Sequence, residues 1–459
     1  MKNKIIILIT FVGLLFSACD DYLDVEPKGR KILQNAEEYS ALLESDHLFT
    51  FPLGDVGYLV DESSVMDERW ITEDEFPVLK ANFTFNESAD RAKFIEQDML
   101  YNNCYKRIAH YNVIINQIDE AEGDDKLKKK VKAQAQILRA FNNFYLINFY
   151  AKHYNKDNAA VDRGVILSVN FDMEAILPQS SVQKVYDAIE QDIADALEHL
   201  PAQPNNTFRP GKALGYALKA KVHLFKKEFG LALTAAEESL KYNDYLFDLV
   251  AYNEQYQVSP YTVQVDYGMQ EHNLFRYGFD AINGLFLNIV SPEFVEKFET
   301  GDIRLETFFA TAPFLPEGTM YYGLIPGSFQ QNAGGIRSAE VFLMKAECLA
   351  RGGKFQDAID IVNKLREKRF KPESYVALNA SNIKEAMDII IAERAREMYL
   401  TPNRYWDLRR LNTEPEYAIT LNKTFKGKTY TLKPNSHLYI QPFSIEAITR
   451  NPNLEQNSK

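Results

Sequence analysis

A mostly α-helical fold is what this sequence predicts: a scaffold of helix pairs under an irregular, loop-rich subdomain that holds a few short strands. Three observations predict it. Long stretches place apolar residues at helical spacing, one helix-turn-helix pattern occurs twice, and two acidic stretches punctuated by Gly and Pro break the helical pattern. With 459 residues, of which 46% are hydrophobic and 25% charged, the chain has ample length for a large core. That composition excludes collagen, disorder and a disulfide-dense scaffold.

Taken in order, residues 1–18 read as a lipoprotein signal peptide. Lys2 and Lys4 precede an apolar run from Ile5 to Phe16, too short for a bilayer span, which needs roughly 18–20 residues. The run stops at Phe16-Ser17-Ala18-Cys19, two small residues before a cysteine. This resembles a bacterial lipobox, in which Cys19 is lipidated and becomes the mature N-terminus; Phe16 departs from the Leu usual at its position. The alternative is an ordinary signal peptide with a chance cysteine. No later stretch is long and apolar enough to span a bilayer, so the mature chain is expected to be anchored rather than spanning.

After a polar tether through Arg30, Lys132 to Ala151 predicts a helix: Ile137, Phe141, Tyr145 and Phe149 recur every four residues, with Leu138 and Phe144 widening the stripe. A second helix is predicted to open at Ser180, with Gln183 as capping-box partner, and to stop at Pro201. Both stripes read as core. The repeat follows. Ala220, Phe229 and Ala232 are matched 126 residues later by Ala346, Phe355 and Ala358, each pair of blocks keeping the same internal spacing. This is the pattern of a tetratricopeptide helix pair: a small residue lets the helices approach, a ring wedges at the turn, and Ala opens the second helix. Such pairs must stack on neighbours to bury their apolar face, and Ile383 to Leu400 is one predicted neighbour. The expected organisation is one body over 19–459, with the scaffold mainly in 91–242 and 338–412 and the irregular parts mainly in 48–90 and 243–337. Irregular segments this long are usually functional.

The formal net charge is −12, and loss of residues 1–18, with two lysines and no acids, makes it −14. A nucleic-acid binder relies on a basic field, so nucleic acid is not an expected partner. Besides Cys19 only Cys104 and Cys348 remain, both in helical-looking stretches. They read as buried free thiols, with a long-range bridge as the alternative, and neither suits a zinc site. The aromatic share is 13%, from 26 Tyr, 30 Phe and 2 Trp; most of these rings are expected in the core, and a minority outside it.

Several blocks, in order along nearly the whole chain, resemble the SusD/RagB family of outer-membrane lipoproteins of Bacteroidota. They are Cys19-Asp-Asp-Tyr-Leu-Asp-Val-Glu-Pro27, Ala135 to Phe141 with Tyr145, Val185 to Leu197 followed by Leu200-Pro201, and Phe298 with Gly301-Asp302-Ile303-Arg304. Arg337 to Glu347, Glu393 to Glu397, Arg404-Tyr-Trp-Asp-Leu-Arg-Arg410 and Asn451 to Asn457 complete the set, without the Pro-Gly-Tyr that usually follows the last. The resemblance implies a tetratricopeptide-like scaffold under a loop-rich binding surface. It implies a non-catalytic protein on the outer face of the outer membrane, held by its lipid, which captures glycans, or in some branches peptides, and delivers them to a SusC-like TonB-dependent transporter. Asp20 and Asp21 resemble the family's surface-export signal.

Capture of a sugar calls for flat rings on its C–H faces and amide, carboxylate or guanidinium groups at its hydroxyls. Trp70 with Asp67 lies in an acidic stretch with no helical stripe to join; the alternative is a hydrophobic plug of its own loop. Tyr267, the cluster Arg276, Tyr277, Phe279, Asp280 and Asn283, and the pair Tyr321 and Tyr322 are the candidates in the central stretch, with loop packing as the alternative. Trp406, among Glu393, Arg394, Arg396, Asp407, Arg409 and Arg410, reads instead as a buried ring braced by a structural charge network.

Enzymatic motifs are absent. The seven histidines form no H-E-x-x-H, no G-x-S-x-G is present, and Gly427-Lys428-Thr429 lacks the first Walker glycine because Asn422 stands there. No cofactor or metal is expected. The remaining alternatives are peptide capture and a tetratricopeptide-type protein-interaction scaffold, which would explain the repeat but not the aromatic loop-rich part. The acidic stretch 61–76 leans against polyanionic ligands.

Overall fold

The structure, a computed structural model, describes residues 33–45, 54–66, 71–72, 75–172, 175–257, 273–275, 289–313, 315, 317–322, 332, 334–399 and 401–459. The elements in chain order are α1 (Ala36–Ser45), β1 (Ser63–Ser64), α2 (Pro77–Phe83), α3 (Met99–Gln117), α4 (Asp125–Tyr150), β2 (Arg163–Ile166), β3 (Gln179–Ser181), α5 (Val182–Leu197), α6 (Lys212–Phe225), α7 (Phe229–Tyr242) and α8 (Leu249–Tyr256). Then come β4 (Asn273–Phe275), β5 (Ile289–Val290), α9 (Pro292–Val295), α10 (Ile303–Phe308), β6 (Phe309–Ala310), β7 (Met320–Tyr322), β8 (Ile336–Arg337), α11 (Ser338–Arg351), α12 (Phe355–Arg366), α13 (Ile383–Glu397), α14 (Asn403–Leu411), β9 (Leu421–Phe425), β10 (Lys428–Leu432) and α15 (Ile445–Arg450). The fold is mostly helical, as the periodicity predicts.

Helix α4 is the axis. It spans 26 residues, roughly 39 Å, and from Val131 onward every side chain except Lys132 is buried. The helix starts earlier than the apolar stripe, because the Asp124 side chain accepts the Leu127 N–H at 2.8 Å and caps the first turn. Helix α5 shows a one-residue correction to the expected start. The cap is Ser181, whose Oγ accepts the Lys184 N–H, because Gln179–Ser181 is paired as β3 with β2. Gln183 is not a capping-box partner; it accepts from the Tyr154 hydroxyl at 2.8 Å and donates to Asp187 at 2.6 Å.

The helices pack in sequence, α3 on α4, α4 on α5, α5 on α6 and α6 on α7, and α7 then meets α11, which packs on α12 and α13. The repeat is thus two stacked helix pairs, α6–α7 and α11–α12. Ala220, Ala232, Ala346 and Ala358 are all fully buried where the pairs close. One large core joins α1, α3–α7 and α14, and a second lies among α11–α13. Trp406 is buried in the first. It meets Tyr145 at 4.9 Å, Phe149 at 5.4 Å and Phe144 at 5.5 Å between ring centres, and the Lys221 ammonium lies 4.7 Å from its ring. Rings and Lys221 brace the indole directly; the arginines act around it. Arg394 and Arg410 share Asp407, and Arg410 also grips Glu347 with two bonds of 2.6 Å. Cys104 and Cys348 are buried free thiols, pushed up to about 12 chiefly by burial.

Candidate functional site

The irregular stretches are gathered by one small sheet of order β1-β5-β7-β6, antiparallel throughout. Its strands are two or three residues long, so it has no alternating pattern to betray it in the sequence. The register puts Ser64, Ile289, Tyr321 and Ala310 in one row. A consequence follows for the connections. The chain leaves β1 after Ser64, enters β5 before Ile289 and leaves β7 after Tyr322, and in this register all three attachments fall at the same end of the sheet. The strand ends at Ser64, Ile289 and Tyr322 therefore lie side by side.

The opposite end of β1 and β5 is clamped to the helical scaffold. Asp61, just before β1, accepts from Arg404 Nε and Nη2 at 2.8 Å each and from Lys297 Nζ at 2.7 Å. Burial alone would raise the Asp61 carboxyl, but the two cations outweigh it and hold the group well below the ordinary carboxylate range. Neighbouring Glu62 is driven the other way: burial, with the Asp61 charge added, pushes it well above the usual value. Ser291, just after β5, donates its N–H to the Glu62 carbonyl at 2.9 Å and its hydroxyl to the Asp61 carbonyl at 2.7 Å.

A second set of buried ion pairs fixes the turn before β6. Arg304 donates to Asp302, to Glu393 at 2.7 Å and to Glu397 at 2.9 Å, and Arg369 donates twice to Glu397. These cations outweigh burial and hold Glu397 well below its usual range, and Glu393 is held at about 2 by Arg304 and Arg396. The clamps leave the sheet little freedom to move against α13 and α14, which suits a platform for ligand-bearing segments.

Of the sequence candidates, Tyr321 is half-buried in the central row of the sheet, and Tyr322 ends β7. Cys19, Asp67, Trp70, Tyr267, Arg276, Tyr277, Phe279, Asp280 and Asn283 lie outside the described residues. Their attachments are described, however. Trp70 is six positions past Ser64 and Asn283 six before Ile289, strand ends that share one end of the sheet with Tyr321 and Tyr322, whereas Arg276 directly follows Phe275 at the end of β4. Tyr267 is likewise nearer β4, six positions before Asn273, and β4 pairs with β8 in a separate sheet. The clamp residues Asp61, Lys297 and Arg404 were not legible as a group. They are separated by up to 343 positions, and no local spacing links them.

Tertiary structure also gathers a group with metal-ligand chemistry that no motif announced. Glu190 of α5, His223 of α6 and Glu228 before α7 place their ligand atoms within 4.8 Å of one another. Lys226 already supplies a cation there: its ammonium lies 2.8 Å from Glu190 and 3.3 Å from Glu228. Among the described residues, no helix is long and apolar enough to cross a membrane.

A helical scaffold with a clamped, segment-bearing sheet defines a class of binding protein rather than a chemistry, and the same scaffold occurs in solved structures. A SusD superfamily protein from Bacteroides thetaiotaomicron superposes with a TM-score of 0.72 at 19% identity, covering 93% of this chain and 100% of the other. A SusD-like carbohydrate binding protein from Bacteroides vulgatus does so with 0.68 at 19%, covering 92% and 98%. In sequence, SusD-like protein P38 of Formosa agariphila is 25% identical across 100% of this chain and 99% of its own length. SusD-like protein P2 of the same organism is 24% identical over 77% and 78%. The model of the SusD family matches residues 327–459, and a model described as starch-binding, associating with the outer membrane, matches residues 21–224. The chain belongs to the SusD/RagB family, a carbohydrate-binding family associated with the outer membrane.

Proposed function

We propose that this chain is a lipid-anchored receptor on the outer face of the outer membrane that captures oligo- or polysaccharide and delivers it to a SusC-like TonB-dependent transporter, without catalysis. One observation carries the reading beyond family membership. The strand ends at Ser64, Ile289 and Tyr322, next to the candidates Trp70, Asn283 and Tyr321-Tyr322 in sequence, lie together at one end of a sheet whose first and second strands are clamped to the scaffold by Asp61, Arg404 and Lys297. This supports a reading in which rings for the faces of a sugar and polar groups for its hydroxyls come from separate parts of the chain. Each ring contributes about 0.5–1.5 kcal/mol beyond the area it buries. A few such contacts give roughly −4 to −8 kcal/mol, or millimolar to micromolar affinity, weak enough for release to a pore.

The test uses residues 20–459 without the lipid, run through affinity gels and calorimetry against plant, fungal, host and bacterial polysaccharides, with peptides in parallel. Retardation by one polysaccharide class supports the reading and names the substrate. Binding confined to peptides replaces it with peptide capture. Trp70→Ala is expected to weaken glycan binding at least about tenfold with an unchanged melting temperature; an altered melting temperature with full binding makes Trp70 a structural plug instead.

A further inference from the structure

A cavity lies among residues outside the clamped sheet, none of which belongs to β1, β5, β6 or β7. Its volume is about 700 Å³, inside the range of roughly 300–1,000 Å³ typical of ligand sites. Three parts of the chain form it: the connection between α5 and α6, the turn after α7, and β4. Its walls are chiefly neutral amides and tyrosines, with Asp244 as the one charged lining residue.

Several of these groups are set for a ligand rather than for the fold. Tyr245 is 42% exposed, and its ring has no aromatic neighbour among the described residues. Tyr242 beside it is held rigid, stacked on Tyr216 at 5.9 Å with the planes 7° apart and with the Lys212 ammonium 5.6 Å from its ring. Gln203 donates its amide N–H to the Tyr242 carbonyl at 3.0 Å, which orients its oxygen as an acceptor. Asn205 and Asp244 line the cavity with no intramolecular hydrogen bond or ion pair among the described residues. An amide offers donors and acceptors together and a carboxylate accepts twice, the combination that pairs with adjacent hydroxyls. A flat exposed ring next to them matches a C–H face.

We infer that this cavity is a second carbohydrate subsite, selective for neutral oligosaccharide, with Tyr245 as the stacking platform and Gln203, Asn205 and Asp244 as hydroxyl partners. The inference rests on the glycan-capture reading and extends it to a place no sequence candidate marked. Asp244, with no basic residue in the lining, disfavours acidic sugars by repulsion. A long glycan held at both sites would gain residence through effective concentration even where each site is weak.

The test is amide hydrogen exchange on the full-length chain in detergent, with and without maltohexaose, cellohexaose or laminarihexaose, and with oligogalacturonate as the acidic control. Calorimetry on Tyr245→Ala accompanies it. The expected result is slowed exchange at 203–207 and 242–245 with a neutral hexasaccharide. Tyr245→Ala should abolish that protection and weaken binding at this site at least about fivefold, with a melting temperature lowered by no more than a degree or two because the ring is 42% exposed and stacks on no described aromatic ring. Protection confined to residues 65–70, 276–288 and 323–331 overturns the subsite and leaves glycan capture standing. Protection of the cavity by oligogalacturonate alone overturns its selectivity for neutral sugars. No protection and no heat with any sugar overturns the subsite and the glycan reading together.

Discussion

The pairs α6–α7 and α11–α12 keep the same spacing, 126 positions apart, yet they bury different chemistry. Both close on fully buried alanines, Ala220 and Ala232 in one, Ala346 and Ala358 in the other. At the turn of the first, Lys227 takes a left-handed backbone with φ 62°; at the matching place in the second, Gly353 takes φ 81°. The first pair's turn also holds a charge group with largely buried basic side chains and partly exposed acids, in which Lys226 meets Glu190 and His223 meets Glu228 at 2.6 Å. In the second, Glu347 is completely buried between Arg410 and Arg351. The small-large-small pattern therefore specifies how two helices close, while the charges record which neighbour packs outside them, α5 in one case and α14 in the other. The pairs are joined by charge as well: buried Lys221 of α6 donates to buried Glu340 of α11 at 2.7 Å.

Arg410→Ala is expected to have the largest effect on the second pair. It leaves Glu347 with Arg351 alone and Asp407 with Arg394 alone, inside the protein, and the expected loss is about 3–5 kcal/mol. Urea unfolding followed by circular dichroism measures it. A loss below about 1 kcal/mol would mean that the second pair does not depend on its buried charge.

Acid should separate the pairs next. Arg410 and Arg351 outweigh burial and hold Glu347 at about 2 against an ordinary 4.5, and Glu393 is likewise held at about 2. A carboxyl depressed in the folded state contributes stability that is present above its unfolded value and lost as pH falls through its folded value. Stability is therefore expected to fall between about pH 4.5 and pH 2, and Arg410→Ala should show a shallower fall because Glu347 has lost its main partner. Thermal melts across that range check the slope; an equal slope in both proteins would assign the acid sensitivity elsewhere.

The smallest expected effect tests the turns. A Cβ added at Gly353 meets nothing within 4 Å, so Gly353→Ala carries only the backbone cost of a left-handed residue, about 1 kcal/mol. Lys227→Gly relieves the same strain in the first pair and is expected to gain a few tenths to about 1 kcal/mol, offset in part by unfolded-state entropy. Opposite signs in melting temperature confirm that the two turns are one structural slot.

Local signals made the scaffold legible. The stripe Ile137, Phe141, Tyr145 and Phe149 announced α4, and the repeat announced both helix pairs, because helical spacing is written in neighbouring residues. Helix starts were less legible: Asp124 and Ser181 cap α4 and α5, one before the apolar stripe and the other one residue later than expected. The Trp block was legible as structural, though the indole is held by aromatic edges and Lys221 from α4 and α6 more than by the nearby arginines.

What the sequence by itself determined is the mostly helical class, the repeated pair and the family, since each rests on order along the chain. Tertiary structure alone decided that strands near 64, 289 and 321 lie in one row and that Asp61 meets Arg404 across 343 positions. It alone also brought residues 203–207 and 242–245 around one cavity. The physical reason is shared by all three. Two-residue strands and isolated charges have no period of their own, so their partners are chosen only when the packed helices bring distant segments within hydrogen-bonding reach.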